Sequence, residues 1–315
     1  MEKLHNSLLP TPLHKLKNLS NKLGINIYCK RDDLTGFAFG GNKTRKLDYL
    51  IAEAKIKKFN TIVTTGGFQS NFCRITAAYA AKEGFETHLI LGGEKKPEKA
   101  TANLLLMKIF GANIHYVETE NWDLWEEKAQ ELANKLEKKG KKVFRMPIGG
   151  SNAIGILGYV ECFKEIMTFE REHNIKFDII IHASGSAGTQ AGLILGKKKY
   201  NWKGKIIGIS VAKDNAELYK DVLKLVNEGM INLKLKSSEP EIIIDDNYIG
   251  KGYGAYTKQS KEAIKIFALT EGILLDSVYT AKAAAALIDY CKKGYFNKNE
   301  NILFIHTGGN IHMFK

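Results

Sequence analysis

Phe39-Gly40-Gly41-Asn42-Lys43-Thr44-Arg45-Lys46-Leu47 joins a glycine-rich loop to the start of a helix. Beyond it, Leu47, Leu50, Ile51 and Ala54 recur at helical spacing, which predicts an amphipathic helix over Thr44–Lys57. Lys43 sits at the junction. There the positive end of the helix dipole and the neighbouring Lys46 both disfavour an ammonium ion. A lysine that can shed its proton can form a Schiff base. Taken alone, the residue reads better as a solvated lysine at a helix start, and two further stretches reverse that.

Outward from this helix, short β-branched runs alternate with helical segments. Strands are expected over Ile25–Cys29, Thr61–Thr65, Thr87–Leu91, Asn113–Val117, Lys142–Met146, Asp178–His182, Lys205–Val211, Glu241–Ile244 and Asn301–His306. Further helices are expected over Asn71–Glu83, Pro97–Phe110, Asn121–Lys139, Ile156–His173, Thr189–Lys198, Asn215–Glu228, Ser260–Glu271 and Thr280–Lys293. Such alternation implies an α/β protein with mostly parallel sheets. The runs Asp178–His182 and Ile302–Ile305 are almost continuously apolar, as strands covered on both faces are. With 315 residues, 44% of them hydrophobic, the chain can build one large domain or two smaller ones.

The net charge is +13, from 47 Lys+Arg against 34 Asp+Glu. The lysines are spread along the chain and gather mostly at predicted helix ends, where cations complement the dipole. No aromatic-interleaved basic motif, zinc finger or helix-turn-helix pattern is present, so the charge reads as a solvated surface with some attraction for anionic ligands, not a nucleic-acid interface. Cys29, Cys73, Cys162 and Cys291 lack metal-ligand spacing and read as free thiols of a reducing cytoplasm. The eight histidines form no ligand pattern. Met1-Glu2-Lys3-Leu4-His5 has no apolar h-region, which argues against a signal peptide, and no apolar run suits a membrane span.

After the strand Asp178–His182 comes Ala183-Ser184-Gly185-Ser186-Ala187-Gly188-Thr189-Gln190-Ala191-Gly192. Small side chains between a strand and a helix let backbone N–H groups approach an anion, and the helix start adds a favourable field. The loop matches neither a Walker A motif nor GxGxxG, so a nucleotide pyrophosphate is not the expected anion. A tight turn with packing glycines is the plain alternative. A Schiff-base lysine together with one phosphate cradle suggests pyridoxal phosphate.

The strand Thr61–Thr65 runs into Gly66-Gly67-Phe68-Gln69-Ser70-Asn71 and a helix. Ser70 lies at the N-cap, where its ordinary role is capping. Its functional role would be to receive a substrate carboxylate with the following N–H groups, placing its hydroxyl near the α-carbon.

GGNKTRKL, GGFQSN, PIGGSNAIGILGYVE, SGSAGTQAG, GKGYG, LLDSVYTAKA and ILFIHTGG follow one another from Gly40 to Gly309. This series resembles the D-cysteine desulfhydrase and 1-aminocyclopropane-1-carboxylate deaminase family. The resemblance implies a pyridoxal 5'-phosphate enzyme of fold type II, like tryptophan synthase β, with two three-layer α/β domains. It implies a smaller domain over 47–155 and a larger cofactor-binding domain from 1–46 and 156–315. It further implies a cleft between the domains and a cytoplasmic homodimer acting on a small amino acid, with no nucleic-acid or membrane partner.

By the same resemblance, Lys43 is the Schiff-base lysine and Lys46 a helper at the phosphate. Ser186, Ala187, Gly188 and Thr189 form the phosphate loop, and Asn71 lies near the cofactor's phenolic oxygen. Ser70, Tyr253 and Tyr279 are catalytic, with Tyr279 and Thr307 also against the cofactor. Ser70, Asn71, Phe72, Ser151 and Thr280 face the substrate. Where the deaminase branch carries glutamate and leucine, this chain carries Thr280 and Thr307, as the desulfhydrase branch does. A hydroxyl leaves the pyridine nitrogen largely neutral and the ring a weaker electron sink, which serves where thiolate departs. The activity so implied is α,β-elimination from D-cysteine to pyruvate, hydrogen sulfide and ammonia. Ring-opening of 1-aminocyclopropane-1-carboxylate, or elimination from cysteate or D-serine, stands beside it. Phe72, Ala255-Tyr256-Thr257 and the ending Gly308–Lys315 depart from the family pattern on the substrate side.

Overall fold

The structure, a computed structural model, describes residues 2–314. The chain begins with β1 (Leu13–Lys15), α1 (Lys17–Leu23), β2 (Asn26–Arg31) and α2 (Asn42–Ile56). It continues through β3 (Thr61–Gly67), α3 (Asn71–Glu83), β4 (Glu86–Gly93), α4 (Ala102–Ile109), β5 (Asn113–Glu118), α5 (Trp122–Glu137) and β6 (Val143–Arg145). Next come α6 (Leu157–His173), β7 (Ile179–Ser184), α7 (Gly188–Lys199), β8 (Lys205–Ser210), α8 (Asn215–Asn232) and β9 (Ile243–Asp245). The last elements are α9 (Lys258–Glu271), α10 (Thr280–Lys292) and β10 (Asn301–His306).

Two sheets divide the strands. One is four-stranded, in the order β5-β4-β3-β6, and wholly parallel. The other is six-stranded, in the order β1-β2-β10-β7-β8-β9, and parallel apart from the antiparallel edge pair β1–β2. Successive side chains on a strand face opposite ways, and here both faces are covered. On β7, Ile181 packs with α1, α9 and α10, and its neighbour Ile180 packs with α6, α7 and α8. On β3, Val63 meets α5 while Ile62 meets α2 and α3. Each sheet is therefore the middle of three layers. Removing an isoleucine such as these from water contributes about 1.5–3 kcal/mol apiece.

The parallel α/β class agrees with the sequence reading, and every expected strand forms, Asn301–His306 with the expected bounds and the others with one or both ends shifted. Two elements went unforeseen. The three-residue β1 and seven-residue α1 are too short for a hydrophobic period to register. The helix expected over Pro97–Phe110 starts only at Ala102. Its cap comes from elsewhere in the chain: Asn103 N–H donates to Gln69 Oε1 at 2.9 Å, and Ala102 takes a φ of 45°. Helix α2 is continuous across residues 46 and 47, where a domain boundary was expected.

All four cysteines are unpaired. No helix among the described residues is long and apolar enough to cross a membrane. Strands β3, β7 and β10 all end at one cleft, where the loops that follow them meet the start of α2. Ligand clefts of parallel sheets lie at such carboxyl ends.

Candidate active site

Lys43 enters the cleft from the first turn of α2. Gly41 holds a φ of 112° there, and a side chain on it would press on the Thr307 carbonyl at 3.1 Å. The next residue is pinned at two points: Asn42 N–H donates to Thr307 O (2.9 Å), and Asn42 Nδ2 donates to Thr189 Oγ1 (3.1 Å). The lysine is thus fixed against the loops that follow β7 and β10. Its amine lies 3.4 Å from the Gly149 carbonyl. A methyl group on Gly149 would sit 2.2 Å from Ser186 Oγ and 3.0 Å from Lys43 Nζ. The amine and the anion loop therefore face each other across a bare glycine.

Lys46, one turn further along α2, is fully buried and donates to Gly149 O (3.2 Å) and Ser151 Oγ (3.3 Å). No carboxylate pairs with either amine among the described residues. Burial lowers Lys43 to about 8. Burial and the neighbouring Lys43 hold Lys46 well below its ordinary value. Burial is what lowers Lys43; Lys46, expected to disfavour its ammonium form, acts on it in the opposite direction.

The loop after β7 is built for an anion. Ala187 opens α7 with a φ of 62°, a strained conformation for a residue with a side chain. No side chain caps α7; Gly188 N–H turns back to Ser186 O (2.7 Å), and the Thr189 and Gln190 N–H groups are left to bind an anion. Ser184 Oγ, at the cleft wall, is buried with no partner. Ser186 Oγ and Ser151 Oγ are 2.9 Å apart. A side chain on Gly188 would lie 2.5 Å from Lys46 Nζ, which sets that amine directly behind the loop.

Across the cleft, Ser70 caps α3 by accepting from Cys73 N–H at 3.2 Å. The Asn71 and Phe72 N–H groups remain in the open first turn. Asn71 Oδ1 is occupied by Arg74 Nη1 (3.2 Å) and Asn103 Nδ2 (2.9 Å), so the amide NH2 of this cleft residue has donors to spare. Phe72 lines the floor, its ring centre 6.0 Å from Lys43 Nζ. At the mouth, the hydroxyls of Tyr253 and Tyr279 are hydrogen-bonded to each other. Burial pushes Tyr253 up to about 12 and raises Tyr279 well above its ordinary value.

Of the residues singled out in the sequence, Lys43, Ser70, Asn71, Phe72, Ser186, Ala187, Thr189, Tyr253, Tyr279 and Thr307 all line this cleft. Two expected substrate contacts do not. Thr280 is fully buried, with its hydroxyl (2.7 Å) and N–H (2.8 Å) both donating to Asp276 Oδ1 as α10 begins. Ser151 backs the anion loop through Ser186 and Lys46. Lys46 and Gly188 lie behind the same loop.

The sequence reading passed over Gly149, Ser184 and Trp122. Gly149 belongs to the PIGGSN stretch but has no chemistry of its own. Trp122 opens α5, lines the cleft and meets the Tyr253 ring edge-on at 5.5 Å. Its one sequence signal is the Trp122-x-x-Trp125 pair just after the Asn121 cap.

A partly discharged amine opposite an uncapped helix start with a bare serine hydroxyl suits an aldehyde that carries a phosphate. The residues present therefore fit pyridoxal phosphate, with Lys43 at its aldehyde and residues 184–189 at its phosphate.

Comparison with known proteins agrees. A family model described as pyridoxal-phosphate dependent enzyme matches residues 5–308. The chain is 40% identical over 303 residues to a D-cysteine desulfhydrase of Yersinia enterocolitica, covering 95% of this chain and 91% of the relative. It is also 40% identical over 304 residues to a protein of Pyrococcus furiosus provisionally named 1-aminocyclopropane-1-carboxylate deaminase, covering 95% and 89%. A crystal structure titled as an ACC deaminase homologue superimposes with a TM-score of 0.92 at 36% identity, covering 100% of this chain and 94% of the other. Cleft geometry, family match and relatives converge: this chain belongs to the pyridoxal-phosphate dependent enzymes of fold type II.

Proposed function

We propose that this enzyme removes a good leaving group from the β-carbon of a small amino acid, with D-cysteine as substrate and pyruvate, hydrogen sulfide and ammonia as products. One observation carries the choice. No Asp or Glu lines the cleft among the described residues; its polar lining is hydroxyls, amides and Lys43. Such a cleft has no counter-charge for a protonated pyridine, which favours substrates whose β-group leaves readily. The desulfhydrase relative supports this reading.

Pyridoxal phosphate, when bound, accepts the electron pair released at the substrate's α-carbon. The chain's own residues do the rest. The first turn of α3, with Ser70, receives the substrate carboxylate and turns the α-hydrogen toward Lys43. Lys43 is the base: near pH 8 about half of such amines are unprotonated, whereas the Ser70 hydroxyl has no basic group beside it. As the α-C–H bond breaks, a Cα=Cβ bond forms and the Cβ–S bond yields thiolate; the aminoacrylate, once released, takes up water to give pyruvate and ammonia. The Tyr253–Tyr279 pair, kept protonated by burial, supplies a proton to the departing sulfur. Trp122 closes the outer side of the pair.

Ring-opening of 1-aminocyclopropane-1-carboxylate is the second reading, because a relative at the same identity bears that name. A panel of D- and L-amino acids, cysteate, D-serine and the cyclopropane substrate tests the choice. Sulfide with pyruvate from D-cysteine is the expected outcome. A turnover dominated by 2-oxobutyrate from the cyclopropane overturns it.

A further inference from the structure

Lys282 is fully buried on the first turn of α10 and has no part in the chemistry above. Its ammonium donates to three backbone carbonyls: Ile249 at 2.7 Å, Gly252 at 3.1 Å and Val211 at 3.3 Å. No carboxylate pairs with it among the described residues. Asp276 is the acidic group that acts on it through space, and the Asp276 oxygens are already taken by Val278, Tyr279 and Thr280. Converging carbonyl oxygens of this kind are how proteins hold bare cations.

The carbonyls come from two separate pieces of chain. Val211 follows β8, while Ile249 and Gly252 belong to the irregular segment between β9 and α9. That segment holds Gly250, Gly252 and Gly254 at φ of 73°, 135° and 81°, and within it only weak backbone bonds at 3.4 and 3.3 Å. Glycines give the backbone latitude and little stiffness. The segment's functional side chain is Tyr253, whose own peptide bond contains the Gly252 carbonyl that Lys282 grips. The same α10 start carries Tyr279, three residues before Lys282. One short stretch of chain thus bears the second phenol and holds the backbone of the first.

We propose that Lys282 is a positioning residue, a tethered cation that fixes the Tyr253 segment so that the two phenols meet, and that its seat, once emptied, takes a free monovalent cation. The proposal rests on the active-site role given to Tyr253. Chemically the seat selects a small, hard or ammonium-like cation able to accept three carbonyl oxygens, and it excludes a bulky quaternary ion.

The test uses Lys282→Ala as holoenzyme. In choline chloride, turnover should fall by roughly 10²-fold while the bound-cofactor absorbance persists, since small misplacements of reacting groups cost rate on that scale. Potassium or ammonium chloride at the same ionic strength should restore most of it. In crystals soaked with rubidium, anomalous density should appear among the carbonyls of Val211, Ile249 and Gly252. Wild-type turnover in choline, or a folded, cofactor-loaded variant indifferent to potassium and ammonium, overturns the proposal. Should the variant aggregate, refolding yield is scored in potassium against choline: recovery in potassium alone supports the seat, and no recovery overturns it. Tyr253→Phe separates the two levels. Full turnover in that variant means the reading of Tyr253 fails; impaired turnover there with a cation-indifferent K282A means this inference fails.

Discussion

Tyr253 and Tyr279 share one hydrogen bond between their hydroxyls, with the rings edge-to-face at 5.9 Å between centres. The two come from different elements, and burial keeps both phenols protonated. In the proposed mechanism, this pair is the proton source for the departing β-substituent. Replacing Tyr279 with phenylalanine should slow elimination from D-cysteine by roughly 10²-fold, the usual scale for one general acid. With β-chloroalanine the loss should be small, because chloride departs without a proton. Equal losses on the two substrates would count against the donor role.

Lys43 is the amine we propose for the cofactor's aldehyde. Borohydride reduction followed by peptide mapping should place the pyridoxyl label on Lys43 in the native enzyme. In Lys43→Ala no label should appear on Lys46, which is held behind the anion loop, and turnover should vanish. A labelled Lys46 with retained turnover would reassign the site.

Only an unprotonated amine attacks an aldehyde. Because burial lowers Lys43 to about 8, the rate at which cofactor-free protein captures pyridoxal phosphate should climb with pH and reach its half-maximum near that value. An ordinary lysine would place the midpoint near about 10.4. Stopped-flow absorbance across a pH series reads the difference directly.

Gly149 separates the amine from the anion loop and holds a φ of 65°. Gly149→Ala adds a methyl that collides with Ser186 Oγ and crowds Lys43 Nζ, and it strains the backbone by about 1–3 kcal/mol. Cofactor affinity should fall by ten- to a hundredfold on that scale, while circular dichroism stays unchanged. Fluorescence titration of the cofactor-free variant gives the number.

Arg45, two residues beyond Lys43, is buried and grips Asp32 through Nε (2.9 Å) and Nη2 (2.8 Å), and Glu165 through Nη1 (2.7 Å). Burial alone would raise the Asp32 carboxyl, but Arg45 and its other partners outweigh it and hold it below its ordinary value. Removing Arg45 strands a buried carboxylate, so Arg45→Met should destabilise the fold by about 3–5 kcal/mol in urea titrations. In the native enzyme, the stability owed to Asp32 is present above the carboxylate's unfolded pKa and is lost as pH falls through its lower folded value. In Arg45→Met burial acts on Asp32 without that guanidinium, so its folded value rises and the acid-side loss owed to Asp32 should shrink.

The residues legible in the sequence share one property: their chemistry is local. Lys43, Ser70 and the 186–189 loop each lie where a loop enters a helix, and the spacing of a few residues announces it. Parallel sheets were legible for the same reason, since Ile179–Ile181 and Ile302–Ile305 declare two buried faces by themselves. What escaped depends on partners far along the chain. Helix α4 begins late because Gln69, more than thirty residues upstream, caps it. Ser151 serves the anion loop because Ser186 and Lys46 meet it in space. Thr280 is the local exception: it turns inward because Asp276, four residues back, takes both of its donors. Lys282 looked like any helical lysine until three distant carbonyls gathered around it.

Asn42 ties the reactive lysine to Thr189 and Thr307, both on the six-stranded side, whereas Ser70 and Asn71 open a helix of the four-stranded side. The helix that carries the lysine also packs against Ile62 and Ile75 of the four-stranded side. Its first turn is therefore moored to both halves of the molecule at once, and the reactive nitrogen cannot drift with either half alone.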